Sequence, residues 1–152
     1  MNSLEKILLE YAPAEKLGRT FRLWRGVADR YLKPLGLTHP RWTALWKLAR
    51  MDGEVSQKRL ADALELELPS LMRTLGQLES QGLIERKTCE TDRRARIVMM
   101  TEAGQLLLSE IEQRILLIRQ SLLAGIPEDQ LQLFEQLLMQ ISSNAEQMEQ
   151  SI

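Results

Sequence analysis

The chain has 152 residues, of which 44% are apolar, enough for one sizeable core within the size range of a single domain. Its one cysteine, Cys89, cannot form an internal disulfide, which fits a reducing compartment. No secretory signal and no apolar run of the roughly 18–20 residues that span a membrane is present. We therefore expect a cytoplasmic protein with no membrane partner.

Charge is distributed unevenly along the chain. The formal net charge is −1, but residues 1–40 carry +3, residues 41–101 carry +2 and residues 102–152 carry −6. An acidic C-terminal third can point away from an anionic ligand while the rest of the chain faces it. Net charge alone therefore does not exclude a nucleic-acid partner.

The first third of the chain is predicted to be helical. Apolar residues at helical spacing precede Pro13, and a longer helix follows over about residues 14–32. One stripe of that helix is apolar, with members Leu17, Phe21, Trp24, Ala28 and Leu32. After a break at residues 33–37, Thr38 followed by Pro40 is typical of the start of the next helix.

The middle third alternates helices with strand-like segments. After a short strand, Ser56 is predicted to cap one helix, and Pro69 suits the first turn of another, which ends at Gly82. Alternating patterns at residues 84–88 and 96–100 flank a polar stretch and predict a hairpin with a long tip. Helix, turn, helix and hairpin in this order predict a winged helix-turn-helix.

The last third contains two long apolar helices, over about residues 102–123 and 128–149, separated by Gly125-Ile126-Pro127. Their apolar stripes are too broad for a monomer of this size to cover, so we predict a subunit interface. We expect a continuous α+β fold, predominantly helical. Its three regions are N-terminal helices that take part in dimerisation, a winged helix-turn-helix domain, and C-terminal dimerisation helices, at residues 1–37, 38–101 and 102–152.

Several motifs resemble those of one family of regulators. Leu68-Pro69-Ser70-Leu71-Met72-Arg73-Thr74-Leu75 and Leu78-Glu79-Ser80-Gln81-Gly82-Leu83-Ile84-Glu85-Arg86 resemble the recognition helix and the beginning of the wing in MarR-type proteins. The match continues through Thr88-Cys89 and Asp92-Arg93-Arg94-Ala95. With Leu32-Lys33-Pro34-Leu35, Leu37-Thr38 and Ala124-Gly125-Ile126, the chain is similar to the SlyA branch, although Glu65 stands where many relatives carry glycine. The resemblance implies a homodimeric transcription regulator, without cofactor, that binds A·T-rich pseudo-palindromic operators in double-stranded DNA.

The helix that begins near Pro69 is a candidate for reading bases. Its apolar stripe leaves four polar side chains on the other side, Ser70, Arg73, Thr74 and Gln77. These residue types bond to base edges and phosphates in a major groove. The alternative is an ordinary solvated face, but the position just before a basic hairpin favours DNA contact.

The hairpin is the second candidate for contact with DNA. Arg93 and Arg94 lie at its tip and Arg96 on its returning strand, and a guanidinium on a protruding ribbon can enter a narrow A·T-rich minor groove. The resemblance implies that Arg94 is the inserted side chain. We expect Asp92 to pair with a neighbouring arginine and fix the wing, the alternative being a charged loop without this role. Contacts to phosphates are expected from Arg86, Lys87, Lys58 and Arg59.

The resemblance also implies a pocket for a small aromatic carboxylate, such as salicylate, between the dimer helices and the winged domain. Arg19 and Arg22 are candidates for a carboxylate clamp, and Trp42 and Trp46 for an aromatic wall. The alternative is that both tryptophans belong to the core and the arginines pair across the dimer.

Cys89 is a candidate redox sensor, because Arg86 and Lys87 lie near enough in sequence to favour its thiolate. The chain holds no resolving cysteine, so its presence alone does not establish sensing.

An enzyme is not expected from this sequence. His39 is the one histidine, predicted at the surface, and no nucleophile pairing, phosphate-binding glycine loop or metal-ligand cluster accompanies it. The stronger rival is an adaptor whose winged helix binds protein and does not bind DNA. A protein-binding wing does not need Arg93, Arg94 and Arg96 together, which favours the DNA-binding function.

Overall fold

Seven α-helices, one 3₁₀ helix and three β-strands form the part of the chain that the structure describes, residues 2–10, 12–92 and 95–152. The structure is a computed structural model. In chain order the elements are α1 (Ser3–Glu10), α2 (Pro13–Leu32), the 3₁₀ helix (Lys33–Leu35), α3 (His39–Arg50), β1 (Glu54–Ser56), α4 (Gln57–Leu64), α5 (Leu68–Ser80), β2 (Ile84–Thr88), β3 (Arg96–Met100), α6 (Glu102–Leu122) and α7 (Glu128–Gln150). The predicted predominantly helical α+β fold with a winged helix-turn-helix is confirmed.

The three strands form one antiparallel sheet in the order β1-β3-β2. Val98 of the central strand β3 lies opposite Val55 of β1 on one side and Arg86 of β2 on the other. Strand β2 therefore has β3 on one side only, and its outward backbone groups need partners from elsewhere. Arg86 is the middle residue of this edge strand.

Helices α3, α4 and α5 build the core against this sheet. Leu45, Leu60 and Leu75, one from each helix, are fully buried and belong to the same apolar cluster as Val98. Ile111, in the first half of α6, is also fully buried in that cluster. The winged domain therefore shares one continuous core with α2 and α6, to which Leu32 and Ile111 contribute.

Local chemistry explains where the helices of the winged domain begin and end. The Ser56 hydroxyl accepts a hydrogen bond from the Arg59 backbone N–H at 3.2 Å, which confirms the predicted cap of α4. Glu65 ends α4 with φ +55°, the left-handed conformation that suits glycine and costs another residue about 1 kcal/mol. Gly82, with φ +74°, follows the end of α5 as predicted.

The beginning of α6 is joined closely to the segment that leaves α5. The Thr101 hydroxyl donates to the Gly82 carbonyl at 2.6 Å and accepts from the Gly104 backbone N–H at 3.1 Å, so it caps α6 as predicted. A Cβ on Gly104 would lie 2.2 Å from the Leu83 carbonyl oxygen. Only glycine allows α6 to approach this backbone so closely.

The chain divides into two compact units, residues 1–118 and 119–152, with the boundary inside α6. Helix α7 has no buried residue and exposes Leu133, Phe134, Leu137, Met139, Ile141 and Met148. Among the described helices, none is both long and apolar enough to cross a membrane.

His39, predicted to lie at the surface, is partly buried and has partners in the chain. Its Nδ1 lies 2.8 Å from Asp29 Oδ1 on α2, and its ring packs edge-on against Trp42 with centroids 5.2 Å apart. The same carboxylate oxygen accepts a hydrogen bond from Trp42 Nε1 at 3.1 Å. Asp29 thus joins α2 to the beginning of α3, which sequence spacing could not reveal.

Candidate nucleic-acid interface

Helix α5 presents one apolar and one polar face. Leu71, Leu75 and Leu78 recur every three or four residues and are all fully buried against the core. Ser70, Arg73 and Gln77 are exposed on the other side of the helix. The structure therefore brings three of the four predicted base-reading side chains to an open helical face.

Thr74, the fourth predicted member, does not lie on that face. It is only 7% exposed, and its hydroxyl hydrogen-bonds to the Ser70 carbonyl at 3.4 Å. Thr74 stands three residues after Leu71 and four before Leu78, so it belongs to the buried stripe by position. Its polarity made it look like a reading residue, but a threonine hydroxyl can be satisfied by the preceding helical turn.

The wing is formed by β2, β3 and the tip between them. Lys87 and Arg96 are exposed on the two strands, and their contacts with DNA stay a prediction. The Cys89 backbone N–H donates to the Ala95 carbonyl at 2.9 Å, and the Ala95 N–H donates to the Asp92 carbonyl at 3.1 Å, which closes the tip. The predicted tip residues Arg93 and Arg94 lie outside the described residues. The pairing of Asp92 with a neighbouring arginine stays a prediction.

The predicted phosphate contact by Arg86 is not supported by the position of its side chain. Arg86 is 14% exposed, and all three guanidinium nitrogens are engaged. Nη2 lies 3.2 Å from Glu79 Oε1, Nε 3.4 Å from Glu79 Oε2, and Nη1 3.4 Å from Gln57 Oε1. The register of β2 turns Arg86 to the same side as buried Ile84, towards the helices.

Glu79 and Gln57 are partners of Arg86 that sequence reasoning missed. Hydrogen bonding from Arg86 lowers the pKa of Glu79 below its ordinary value, and the positive charges of Arg86 and Arg96 add to this effect. Gln57 is buried, and its amide oxygen is satisfied by Arg86. The spacing of Glu79 and Arg86, seven residues apart across a turn, was the available signal for their pairing.

The first turn of α4 provides two further cations. Lys58 and Arg59, predicted to contact phosphates, are both exposed. Arg73, Lys87 and Arg96 are likewise exposed, and the structure records no ion pair for any of these five side chains. Such cations are available for phosphate contacts.

The four residues predicted to bind a carboxylate ligand are not joined in the structure. Trp42 is 8% exposed and lies in the core cluster, whereas Trp46 packs beneath Arg50, whose Cζ is 4.7 Å from the ring centroid. Arg19 and Arg22 are exposed on α2. Among the described residues, no recorded hydrogen bond or cation–π contact links either arginine to a tryptophan. Trp42 fits the alternative in which both tryptophans belong to the core, whereas Trp46 is only partly buried against that core. The pairing of the arginines across the dimer stays a prediction.

Cys89 is half-buried at the beginning of the wing tip, and its Sγ lies 3.2 Å from Thr91 Oγ1. Hydrogen bonds from the Thr91 side chain, and from the Thr91 and Asp92 backbone, lower the pKa of the thiol. Arg86 and Lys87, expected to favour the thiolate, are not among the causes of the lowered pKa, and the Arg86 guanidinium is engaged with Glu79. Within residues 2–10, 12–92 and 95–152, no cluster of three metal-ligating side chains is present.

Comparison with known proteins places this architecture in a family. The sequence profile described as MarR family matches residues 35–95. The crystal structure of transcriptional regulator PA3341 superposes with a TM-score of 0.82 at 38% sequence identity, covering 90% of this chain and 99% of that one. The chain belongs to the MarR family. It therefore has the winged-helix, DNA-binding architecture of a transcriptional regulator.

Two more distant structures share the fold of this MarR-family chain. A cysteine-to-serine mutant of MarR from E. coli, complexed with operator DNA, gives a TM-score of 0.78 at 24% identity, covering 89% of this chain and 97% of that one. CouR from Rhodococcus jostii RHA1, bound to p-coumaroyl-CoA, gives 0.77 at 23% identity, covering 88% and 93%.

Proposed function

We propose that this MarR-family chain is a cytoplasmic, homodimeric regulator of the SlyA-like branch that binds A·T-rich pseudo-palindromic operators. The observation that carries the proposal is the open face of α5, with exposed Ser70, Arg73 and Gln77, next to a wing with exposed Lys87 and Arg96. A polar helical face supplies base contacts, and a basic ribbon supplies phosphate and minor-groove contacts.

Each part of the interface has its own task. Arg73 donates two parallel hydrogen bonds to a guanine edge, and Ser70 and Gln77 bond to neighbouring bases or phosphates. Exposed cations on α4 and the wing neutralise phosphates, namely Lys58, Arg59, Lys87 and Arg96. Arg94 enters the minor groove that flanks each half-site, and Asp92 fixes the wing.

Homodimerisation is supported by the apolar side chains that the single chain leaves exposed. They occur in α1, at Leu4, Ile7 and Leu8, and in α7, where six large apolar side chains are exposed. Continuous apolar faces of this kind mark interfaces in proteins of this size. We assign dimerisation to residues 1–37 and 102–152 and DNA binding to residues 38–101. A two-fold dimer then places two copies of α5 on the two halves of a pseudo-palindrome.

Release from DNA by a small aromatic carboxylate such as salicylate is the finer part of the proposal. The exposed guanidinium groups of Arg19 and Arg22, without recorded partners among the described residues, suit a carboxylate. Trp46, which is only partly buried, supplies an aromatic surface in α3. Titration calorimetry with salicylate tests this part. If an Arg19→Ala, Arg22→Ala double variant binds salicylate with unchanged affinity, these two arginines do not hold the carboxylate.

DNA binding is tested with duplexes selected by the protein from a random 30-bp library. Arg73→Ala is compared with Lys58→Ala, because both remove one exposed cation per subunit from the winged domain. We expect Arg73→Ala to reduce discrimination between the selected duplex and base-substituted versions by about 1–3 kcal/mol per half-site. Lys58→Ala weakens binding to every duplex about equally and lowers the salt dependence.

If Arg73→Ala weakens binding to every duplex equally, Arg73 contacts phosphates and does not read a base. Absence of salt-dependent binding to any duplex by the wild type favours instead the protein-binding adaptor.

A further inference from the structure

Arg86, Glu79 and Gln57 form a cluster, here named the Arg86 clamp, that joins three elements. Glu79 lies in the last turn of α5, Gln57 is the first residue of α4, and Arg86 is the middle residue of β2. The three guanidinium nitrogens each make one of the contacts of 3.2–3.4 Å described above. The clamp therefore ties both helices of the helix-turn-helix to the strand that leads into the wing.

The clamp also covers the edge of the sheet. Glu79 Oε2 accepts a hydrogen bond from the Arg86 backbone N–H at 3.2 Å, in addition to the bond from the side chain. This N–H lies on β2, which has β3 on one side only. The Glu79 carboxylate thus binds both the backbone and the side chain of Arg86. These two contacts restrict the orientation of β2 relative to α5 as well as the distance between them.

Gly76 of α5 lies beside the guanidinium. A Cβ at this position would lie 3.9 Å from Arg86 Nη2, which is an ordinary contact distance. The guanidinium of the clamp therefore lies close to α5 and is largely shielded from solvent.

We propose that the Arg86 clamp is a positioning device for DNA recognition, which holds the wing at one fixed angle to α5. The inference rests on the proposed function, in which α5 reads a major groove and the wing reads the flanking minor groove. Helix α5 and the wing can both contact one half-site only when the distance and angle between them match the spacing of the two grooves. Mobility between α5 and the wing therefore weakens the contribution of the wing to sequence discrimination first. None of the three residues contacts DNA in this proposal.

The effect of one substitution on flank preference separates this proposal from a simple effect of charge. Glu79→Gln preserves size but removes the negative charge and one of the two acceptor oxygens. If charge alone mattered, losing an anion from the winged domain would strengthen binding to every duplex equally. If the clamp positions the wing, the preference for A·T over G·C flanks falls by about tenfold, within the range by which coupling residues act. Affinity for unrelated duplexes is then unchanged or raised.

Glu85→Gln is the matched control. Glu85 is an exposed glutamate on β2, one residue before Arg86, and it points to the opposite face of the strand. It undergoes the same change of charge without touching the clamp. We expect it to keep the flank preference of the wild type. Arg86→Lys is the second clamp variant, because lysine retains the positive charge but cannot bind Glu79 at two points and Gln57 at a third.

The wing position can be measured directly through Cys89, the single cysteine in the chain. A nitroxide spin label on Cys89 of each subunit reports the distance between the two wing tips by pulsed electron spin resonance. We expect one narrow distance distribution for the wild type and Glu85→Gln, and a broadened one for Glu79→Gln and Arg86→Lys. Thermal unfolding of all four proteins shows whether the clamp variants are folded at the temperature used.

The outcomes are distinct. A folded Glu79→Gln or Arg86→Lys variant with the flank preference and wing-tip distance of the wild type overturns the clamp proposal and leaves the proposed function standing. If the wild type shows no preference for A·T flanks, or if no distance between the labels of two subunits can be measured, the proposed function and the clamp proposal are both overturned. Reduced flank preference in both clamp variants, with Glu85→Gln unchanged, supports the proposal.

Discussion

Helices α5 and α7 are both amphipathic but have different surroundings. The 13 residues of α5 include four that are buried, whereas the 23 residues of α7 include none. Leu75 of α5 is fully buried, while Leu137 of α7 is 53% exposed. The apolar content of a helix therefore does not reveal whether its stripe is covered by its own chain or left for another.

The buried polar groups of the described residues, like the apolar core around α5, are satisfied within the single chain. Among the described residues, no buried side-chain nitrogen or oxygen lacks a hydrogen-bond partner. The Arg86 clamp and the Asp29–Trp42 bond are examples. We therefore expect substitutions in α5 to act on the chain itself, and substitutions in α7 to act through association.

Leu75→Ala is the largest expected effect. It removes a fully buried side chain from the core cluster, so the free energy of unfolding falls by about 2–5 kcal/mol. Urea titration followed by circular dichroism at two protein concentrations measures this loss. A loss below about 1 kcal/mol would show that the α5 stripe is not part of a close-packed core.

Gly104→Ala tests the junction between the winged domain and α6. The new Cβ would lie 2.2 Å from the Leu83 carbonyl oxygen, so backbone must shift, and we expect destabilisation by about 1–3 kcal/mol. Gly26→Ala is the control, because a Cβ there would meet no heavy atom within 4 Å among the described residues outside the neighbouring backbone of α2. That change should stabilise α2 by about 0.5–1 kcal/mol. Equal effects of the two substitutions in thermal unfolding contradict the close approach.

Leu137→Ala sharpens the contrast with Leu75. Because this side chain is half-exposed in the single chain, we expect a loss of about 1 kcal/mol that appears in the dissociation constant of the dimer. Analytical ultracentrifugation over a dilution series measures it. A loss that is independent of protein concentration would assign α7 to the core of its own chain.

Glu79→Gln has a smaller effect on stability than on DNA recognition. Because folding lowers the pKa of Glu79, the contribution of this carboxylate to the free energy of unfolding is present above the pKa of the unfolded state. It is lost as pH falls through the pKa of the folded state. Its side chain is 41% exposed, so the contribution is below about 1 kcal/mol. The variant should lose less stability than the wild type as pH falls below about 5. Glu85→Gln serves as the control in urea titrations at each pH.

Thr91→Val has the smallest expected effect. Loss of the hydroxyl beside Sγ raises the pKa of Cys89, so alkylation by iodoacetamide at pH 7 slows by about twofold. Thr88→Val, one residue before Cys89 at an exposed position, should leave the rate unchanged. An identical rate in both variants would show that the Thr91 hydroxyl does not stabilise the thiolate.

Local signals in the sequence were sufficient for the elements and their order. Ser56 caps α4 because a hydroxyl at that position can accept from the backbone two or three residues on, and Gly82 ends α5 because it adopts positive φ. Alternation over residues 84–88 and 96–100 predicted the hairpin. These features depend on neighbouring residues in the chain, so a single sequence contains them.

Only the tertiary structure decided which polar side chains are available. Thr74 and Arg86 were both predicted to contact DNA, but packing buries the first in the α5 stripe and engages the second with Glu79 and Gln57. His39 is held by Asp29, ten residues away. A side chain's residue type sets which bonds it can make. The partners that meet it are set by the packing of elements distant in sequence, because burying a polar group is tolerated only where a partner satisfies it.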